Sequence, residues 1–281
     1  MANPYQPQGD KTDYLMSVLC VIKVLDVLTL PLTAIVGIFW VKKYQLPMMG
    51  EGFSTKINAK KILQILLLAV SGAALGLCAI MGENVLSMSV QIENNTMIGL
   101  SVMQSNLTLP LQILFIAVSS LVSEFAFRRC LYGEWRKYGI LLSIIGSGVI
   151  TMLLSNLGEW SGMLMLGLFA AMVYEVTRCL VMTTIFHFFF LFSQLMMVAY
   201  GQQMDARNLL LFAVAALAVS VVILLIALNL STNFTETCEK IKVQQQNHVR
   251  HPYVFRASFN FFMVVLILFQ TTPYWSGLIL G

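Results

Sequence analysis

Charge is what this 281-residue chain has least of. Only 11% of its residues are Asp, Glu, Lys or Arg, against roughly 25% in soluble globular domains, while 58% are hydrophobic and the mean hydropathy is +0.80. Water cannot solvate a surface so poor in charge, which excludes an ordinary soluble domain. Histidine is scarce, and the five cysteines, Cys20, Cys78, Cys130, Cys179 and Cys238, are scattered without a C-x-x-C pair. That excludes both a disulfide framework and a zinc-finger spacing. The opening MANPYQPQGDKTDY has no basic region followed by a short apolar core and a small-residue cleavage site, so no cleavable signal peptide is expected. Segments of about ten residues with alternating polarity, the mark of a membrane barrel, are missing too, as are internal repeats and low-complexity tracts.

What the chain has instead is long apolar runs. A bilayer core takes about 20 mostly apolar residues per helix, and the runs divide into eight spans: Tyr14 to Trp40, Ile62 to Met81, Leu109 to Glu124, Ile140 to Asn156, Ser161 to Tyr174, Leu180 to Tyr200, Leu209 to Asn229 and Ala257 to Thr272. The third and fifth are short, and the first is overlong with a kink expected at Pro31. The expected fold is all-α, a polytopic membrane protein of about eight transmembrane helices, with residues 1–281 forming a single integral membrane domain.

Lys and Arg accumulate in cytoplasmic loops and so report orientation. Placing both termini outside puts every basic residue except Lys11, Lys23 and Arg207 in the loops after spans one, three, five and seven. The net charge of +4 then reflects topology and anionic lipid at the cytoplasmic leaflet, and nucleic acid is not expected as a partner. Residues 83–108 form a polar outside segment free of Lys and Arg, and its N-x-T sequons at Asn94 and Asn106 carry no functional weight. Residues 231–256 form the longest cytoplasmic loop, a solvated connector or a docking segment for a partner.

Ionisable groups inside lipid are costly, and each needs a partner. Lys23 and Asp26 can pair across three residues. Gly72 and Gly76 in GAALG form a G-x-x-x-G that lets helices approach closely. Glu175 and Arg178 read as a solvated pair at the end of the fifth span. His187, in VMTTIFHFFFLFSQL, needs a hydrogen-bond partner, a metal or a water-filled cavity.

In SSLVSEFAFRRCLYGEWRKYG, residues 119–139, Glu124 precedes Arg128 by one helical turn. An intramembrane hydrolase needs a carboxylate to activate water and imidazoles to orient it or hold a metal, and a Glu late in one helix, a basic residue one turn on and a His deep in a later helix would supply parts of such a site. Those pieces resemble the CAAX protease and bacteriocin-processing family, or Abi family, of intramembrane endopeptidases, whose pattern reads E-E-x-x-x-R, F-x-x-x-H and H-x-x-x-N/D over four consecutive helices. The resemblance covers residues 119–194 and implies an intramembrane CAAX-protease-like helical bundle. It places Glu124 and His187 at catalytic positions and Arg128 at the basic position. Ser123 stands where the first Glu is expected, Asn156 where the first His is, and Leu191 where the Asn or Asp is.

Serine cannot act as a carboxylate base, asparagine cannot replace an imidazole, and leucine offers no polar group. The resemblance therefore implies a catalytically degenerate scaffold or regulator of another membrane or cell-envelope protein, in a bacterial plasma membrane, with no cofactor. An active endopeptidase with an altered site, using zinc, is the alternative; a small-molecule transporter is a third reading. The topology is directly testable. A reporter fused at Gly281 should be active only in an extracytoplasmic assay and one inserted near Gln245 only in a cytoplasmic assay, and the reverse pattern would undo the span assignment.

Overall fold

The computed structural model describes residues 29–43, 58–90, 108–132, 135–136, 139–153, 155, 160–200, 206–231 and 233–246. They form helices α1 (Thr29–Lys43), α2 (Ala59–Val90), α3 (Leu109–Glu124), a π-helical segment (Phe125–Tyr132), α4 (Ile140–Leu153), α5 (Trp160–Thr177), α6 (Leu180–Tyr200), α7 (Ala206–Asn229) and α8 (Phe234–Gln246), with no strand among the described residues. The Lys23–Asp26 pair, Asn156 and the eighth span, Ala257 to Thr272, lie outside the described residues.

Among the described residues five helical stretches are long and apolar enough to cross a bilayer: Ala59–Val85, Leu109–Tyr132, Trp160–Thr177, Leu180–Ala199 and Arg207–Asn229, with Ile140–Leu153 a shorter apolar helix. Exposed on these stretches are Leu66, Val70, Leu114, Leu211, Phe212 and Val222, and on α1 Ile35 and Phe39. In water so much apolar surface would exceed what a soluble protein tolerates; in lipid it is the solvated surface. This is an integral membrane protein.

Local signals set the helix starts. Asn58 Oδ1 accepts the amide of Lys61 at 2.8 Å and caps α2. Thr108 is extended and Pro110 fills the first turn of α3, where its missing N–H has no partner to lose. Two boundaries differ most from the sequence expectation. Residues 83–90 continue α2 rather than opening a loop, so this 32-residue helix is about 48 Å long and outruns the bilayer core. The third span does not stop at Glu124 but runs on through the π-helical segment to Tyr132.

Contacts between helices give their relative directions. Gly72 and Gly76 of α2 lie against the Phe186 and Phe190 carbonyls of α6 in the same order along both chains, so α2 and α6 run parallel. Against α7 the order reverses: Ser71 Oγ donates to the Ser220 carbonyl and Ser220 Oγ to the Ser71 carbonyl, each at 2.9 Å, while Gln64 Nε2 donates to the Ala227 carbonyl at 3.1 Å. Parallel second and sixth spans with an antiparallel seventh are what alternate threading from α2 to α7 requires. The apolar core follows, with Leu68, Leu75, Ile116, Leu166, Val173, Phe186, Phe190 and Leu224 packed between five helices.

The glycine pair acts as the packing surface its spacing suggested. A Cβ on Gly72 would strike the Phe186 backbone, which cannot swing aside as a side chain can, whereas a Cβ on Gly82 would meet nothing within 4 Å. Gly72→Ala should therefore lower stability by about 1–3 kcal/mol through overpacking. Gly82→Ala should raise it by up to about 1 kcal/mol through helix propensity. Thermal unfolding in detergent checks both, and equal behaviour of the two variants would contradict the close α2–α6 approach.

Candidate functional site

Glu124 closes α3 and is 1% exposed. It belongs to a buried stripe on α3 with Gln112, Ile116 and Ser120, the four-residue spacing that keeps side chains on one helical face. His187 is the eighth residue of α6, about 10 Å inside the end at which that helix begins. The two meet: His187 Nδ1 and Glu124 Oε1 are 2.8 Å apart. Arg128 follows on the π-helical segment, fully buried, with Nε 3.2 Å from Glu124 Oε2. That contact pairs charge without the alignment of a hydrogen bond, since neither atom counts as hydrogen-bonded. The directional bond of the guanidinium goes instead to α4, where Ser147 Oγ accepts from Nη1 at 2.5 Å.

The π-helical turn explains why two consecutive arginines can both be buried. Neighbours on an α-helix diverge by about 100°, but the wider i→i+5 turn rotates each residue by less. Arg128 thus faces Glu124 and Ser147 while Arg129, also buried, reaches Tyr174 Oη at 3.4 Å. Gly146 and Gly148 flank Ser147, and each is tightly covered, by the Trp135 ring and the Leu168 side chain respectively.

The remaining motif positions offer less. Ser123 is only half-buried, on the flank of α3 beside the Glu124 face. Leu191, one turn beyond His187, is buried in the apolar core and brings no polar group. Asn156 lies outside the described residues. The structure therefore brings together Glu124, Arg128 and His187, and adds Ser147, for which the sequence carried no signal beyond its place in the small-residue run GSG. Ser120 Oγ and Arg128 Nη2 are buried without a protein hydrogen-bond partner among the described residues. Both are positions where a water or a polar ligand group would bond.

A zinc ion does not fit this donor set. Among the described residues no three His, Cys, Asp or Glu side chains could share a metal, and the two donors that meet, Glu124 and His187, do so beside the Arg128 cation, which opposes a second positive charge.

A second polar centre lies where α5 ends and α6 begins. Glu175, expected as one half of a solvated pair, is in fact 1% exposed. Tyr132 Oη donates to its Oε2 at 2.8 Å, Arg136 Nε lies 3.2 and 3.1 Å from the two oxygens, and Arg178 Nη2 bonds Oε1. The i,i+3 pairing with Arg178 is real, but partners from some forty residues earlier bury it.

Breaking a buried ion pair leaves an uncompensated charge, at about 3–5 kcal/mol, whereas losing a single hydrogen bond to a charged group costs about 1.5–3 kcal/mol. Glu124→Gln and Arg128→Ala should each lower detergent thermal stability more than His187→Ala does. The opposite ranking would show that Glu124 and Arg128 are not paired in the folded protein.

Residues 105–193 match the family model of the Rce1-like type II CAAX prenyl endopeptidases. The matched stretch spans α3 to α6 and contains Ser123, Glu124, Arg128, Asn156, His187 and Leu191. The resemblance to the CAAX protease family is thus borne out over this segment. No curated protein and no solved structure matches the chain.

Proposed function

From a CAAX-protease-like membrane protein, we propose a catalytically degenerate member of that class, acting as a scaffold or regulator of another membrane or cell-envelope protein. On this reading the chain sits in a bacterial plasma membrane with both termini outside and works without a cofactor. One observation carries it: Glu124 Oε1 meets His187 and Oε2 is ion-paired with the buried Arg128. A hydrolytic carboxylate must be able to take a proton from water. This one serves as the counter-charge of a buried arginine, and no second carboxylate or imidazole joins it among the described residues. The motif's remnant acts as a brace between α3, α4 and α6, holding a rigid bundle whose lipid-facing or loop surfaces are available to a partner.

One contact favours the alternative of an altered-site endopeptidase. A glutamate 2.8 Å from Nδ1 is how a histidine is oriented when its other nitrogen acts as a base. His187→Ala separates the two readings, because it spares the Glu124–Arg128 pair. For a scaffold, the variant should recover the same co-purifying partner as the native chain, leave the membrane peptide profile unchanged, and neither protein should carry stoichiometric zinc. A stable His187→Ala protein that accumulates an uncleaved substrate, or a native chain whose zinc is lost in the variant, would establish the endopeptidase.

A further inference from the structure

Arg136 and Arg178 share the buried Glu175 carboxylate, yet neither is used up by it. Arg136 engages it through Nε alone and keeps 33% of its side chain exposed. Arg178, 18% exposed, donates Nη2 to the carboxylate and Nε to the Glu175 carbonyl at 2.8 Å. Arg136 Nη1 and Nη2 and Arg178 Nη1 therefore bind no other protein group among the described residues. Two guanidinium groups fixed on one carboxylate leave one net positive charge, and Arg129 donates to the hydroxyl of Tyr174, the residue before Glu175.

The backbone is bent to make this arrangement. Arg178 has φ 53, a left-handed conformation that glycine would adopt without strain. The strain is held by the two bonds that aim the side chain. Arg178 also sits just before α6, whose first-turn amides add positive potential. Both α5 and α6 are membrane-crossing stretches, so their junction lies at the level of lipid headgroups.

We infer that Arg136 and Arg178 form a preorganised site for a phosphate-bearing anion at the membrane face, taken by the headgroup of an anionic phospholipid. A planar guanidinium pairs two N–H groups with phosphate oxygens, and fixing both side chains on Glu175 in advance lowers the entropy lost on binding. Glu236 on α8 is the competing anion. Lys240 pairs with it at 2.5 Å, and with help from Arg178 and Arg136 this holds its carboxyl below the usual range. The site does not depend on whether Glu124 and His187 are catalytic.

The test is lipid retention by the full chain in neutral detergent, titrated with mixed micelles of phosphatidylglycerol or of phosphatidylcholine and read by native mass spectrometry. The native protein should retain phosphatidylglycerol over phosphatidylcholine, and Arg136→Gln and Arg178→Gln should each weaken that retention roughly tenfold. Glu236→Gln touches only an exposed side chain, so it keeps the test valid if an arginine variant does not fold; it should strengthen retention about twofold. Inorganic pyrophosphate supplies the same chemistry in soluble form and should compete only weakly. Unchanged phosphatidylglycerol retention in Arg136→Gln and Glu236→Gln, equal retention of phosphatidylcholine, or pyrophosphate binding without phosphatidylglycerol binding would each overturn the assignment.

Discussion

A carboxylate and a guanidinium inside a membrane helix must neutralise one another, and Glu124 with Arg128 is the pair around which this bundle is arranged. Neither group can reach water from its buried position, and an isolated ion in a medium of low dielectric is prohibitively unstable. Several features of the surrounding helices follow from that constraint. The backbone widens into a π-helical segment where the arginines turn inward. On the facing helix, small residues around Ser147 admit a guanidinium. His187 arrives on α6, which α2 can approach closely because Gly72 and Gly76 carry no side chain. The buried polar groups are gathered into this cluster within an otherwise apolar core, and the outer surface is apolar as well.

Much of this was legible in the sequence, and for physical reasons. Long apolar runs and basic loops report spans and their alternation because the bilayer imposes length and the charge bias imposes direction. The parallel α2–α6 and antiparallel α2–α7 contacts agree with that reading. Glu124, Arg128 and His187 stood out because ionisable groups in lipid are rare enough for each to need a reason. Ser147 did not, since a serine between two glycines is equally a packing residue and its role exists only once Arg128 reaches it. The π-helical widening has no propensity signature. Glu175 was misjudged because a pair at i,i+3 near a span end is usually solvated; its burial is decided by Tyr132 and Arg136, brought in from another helix.

The two polar centres are joined by one short piece of chain. Within residues 125–132, Arg128 points to Glu124 and Ser147, Arg129 to Tyr174, and Tyr132 to Glu175. The Tyr132 and Tyr174 rings also meet edge to face, with centroids 5.8 Å apart. A rotation of the π-helical segment would disturb both centres together, so the deep triad and the membrane-face arginines are mechanically linked. Coupling of this kind needs no long pathway, only a rigid element with polar anchors at both ends.

That linkage bears on how an intramembrane hydrolase could lose its chemistry and keep its fold, on the reading proposed above. The motif positions are not equivalent in what their replacement does to the bundle. Residue 123 is half-buried at the flank of α3, so serine in place of a carboxylate there leaves no charge stranded. Leucine at 191 adds apolar contact to the core it faces. Losing Glu124 or Arg128 would strand its partner in a low-dielectric interior, and losing His187 would leave Glu124 Oε1 without its bond. Groups needed only for chemistry can therefore drift at little cost to stability, while those whose charges hold helices together cannot. Glu124, Arg128 and His187 beside Ser123 and Leu191 is the residue set that such a division would leave.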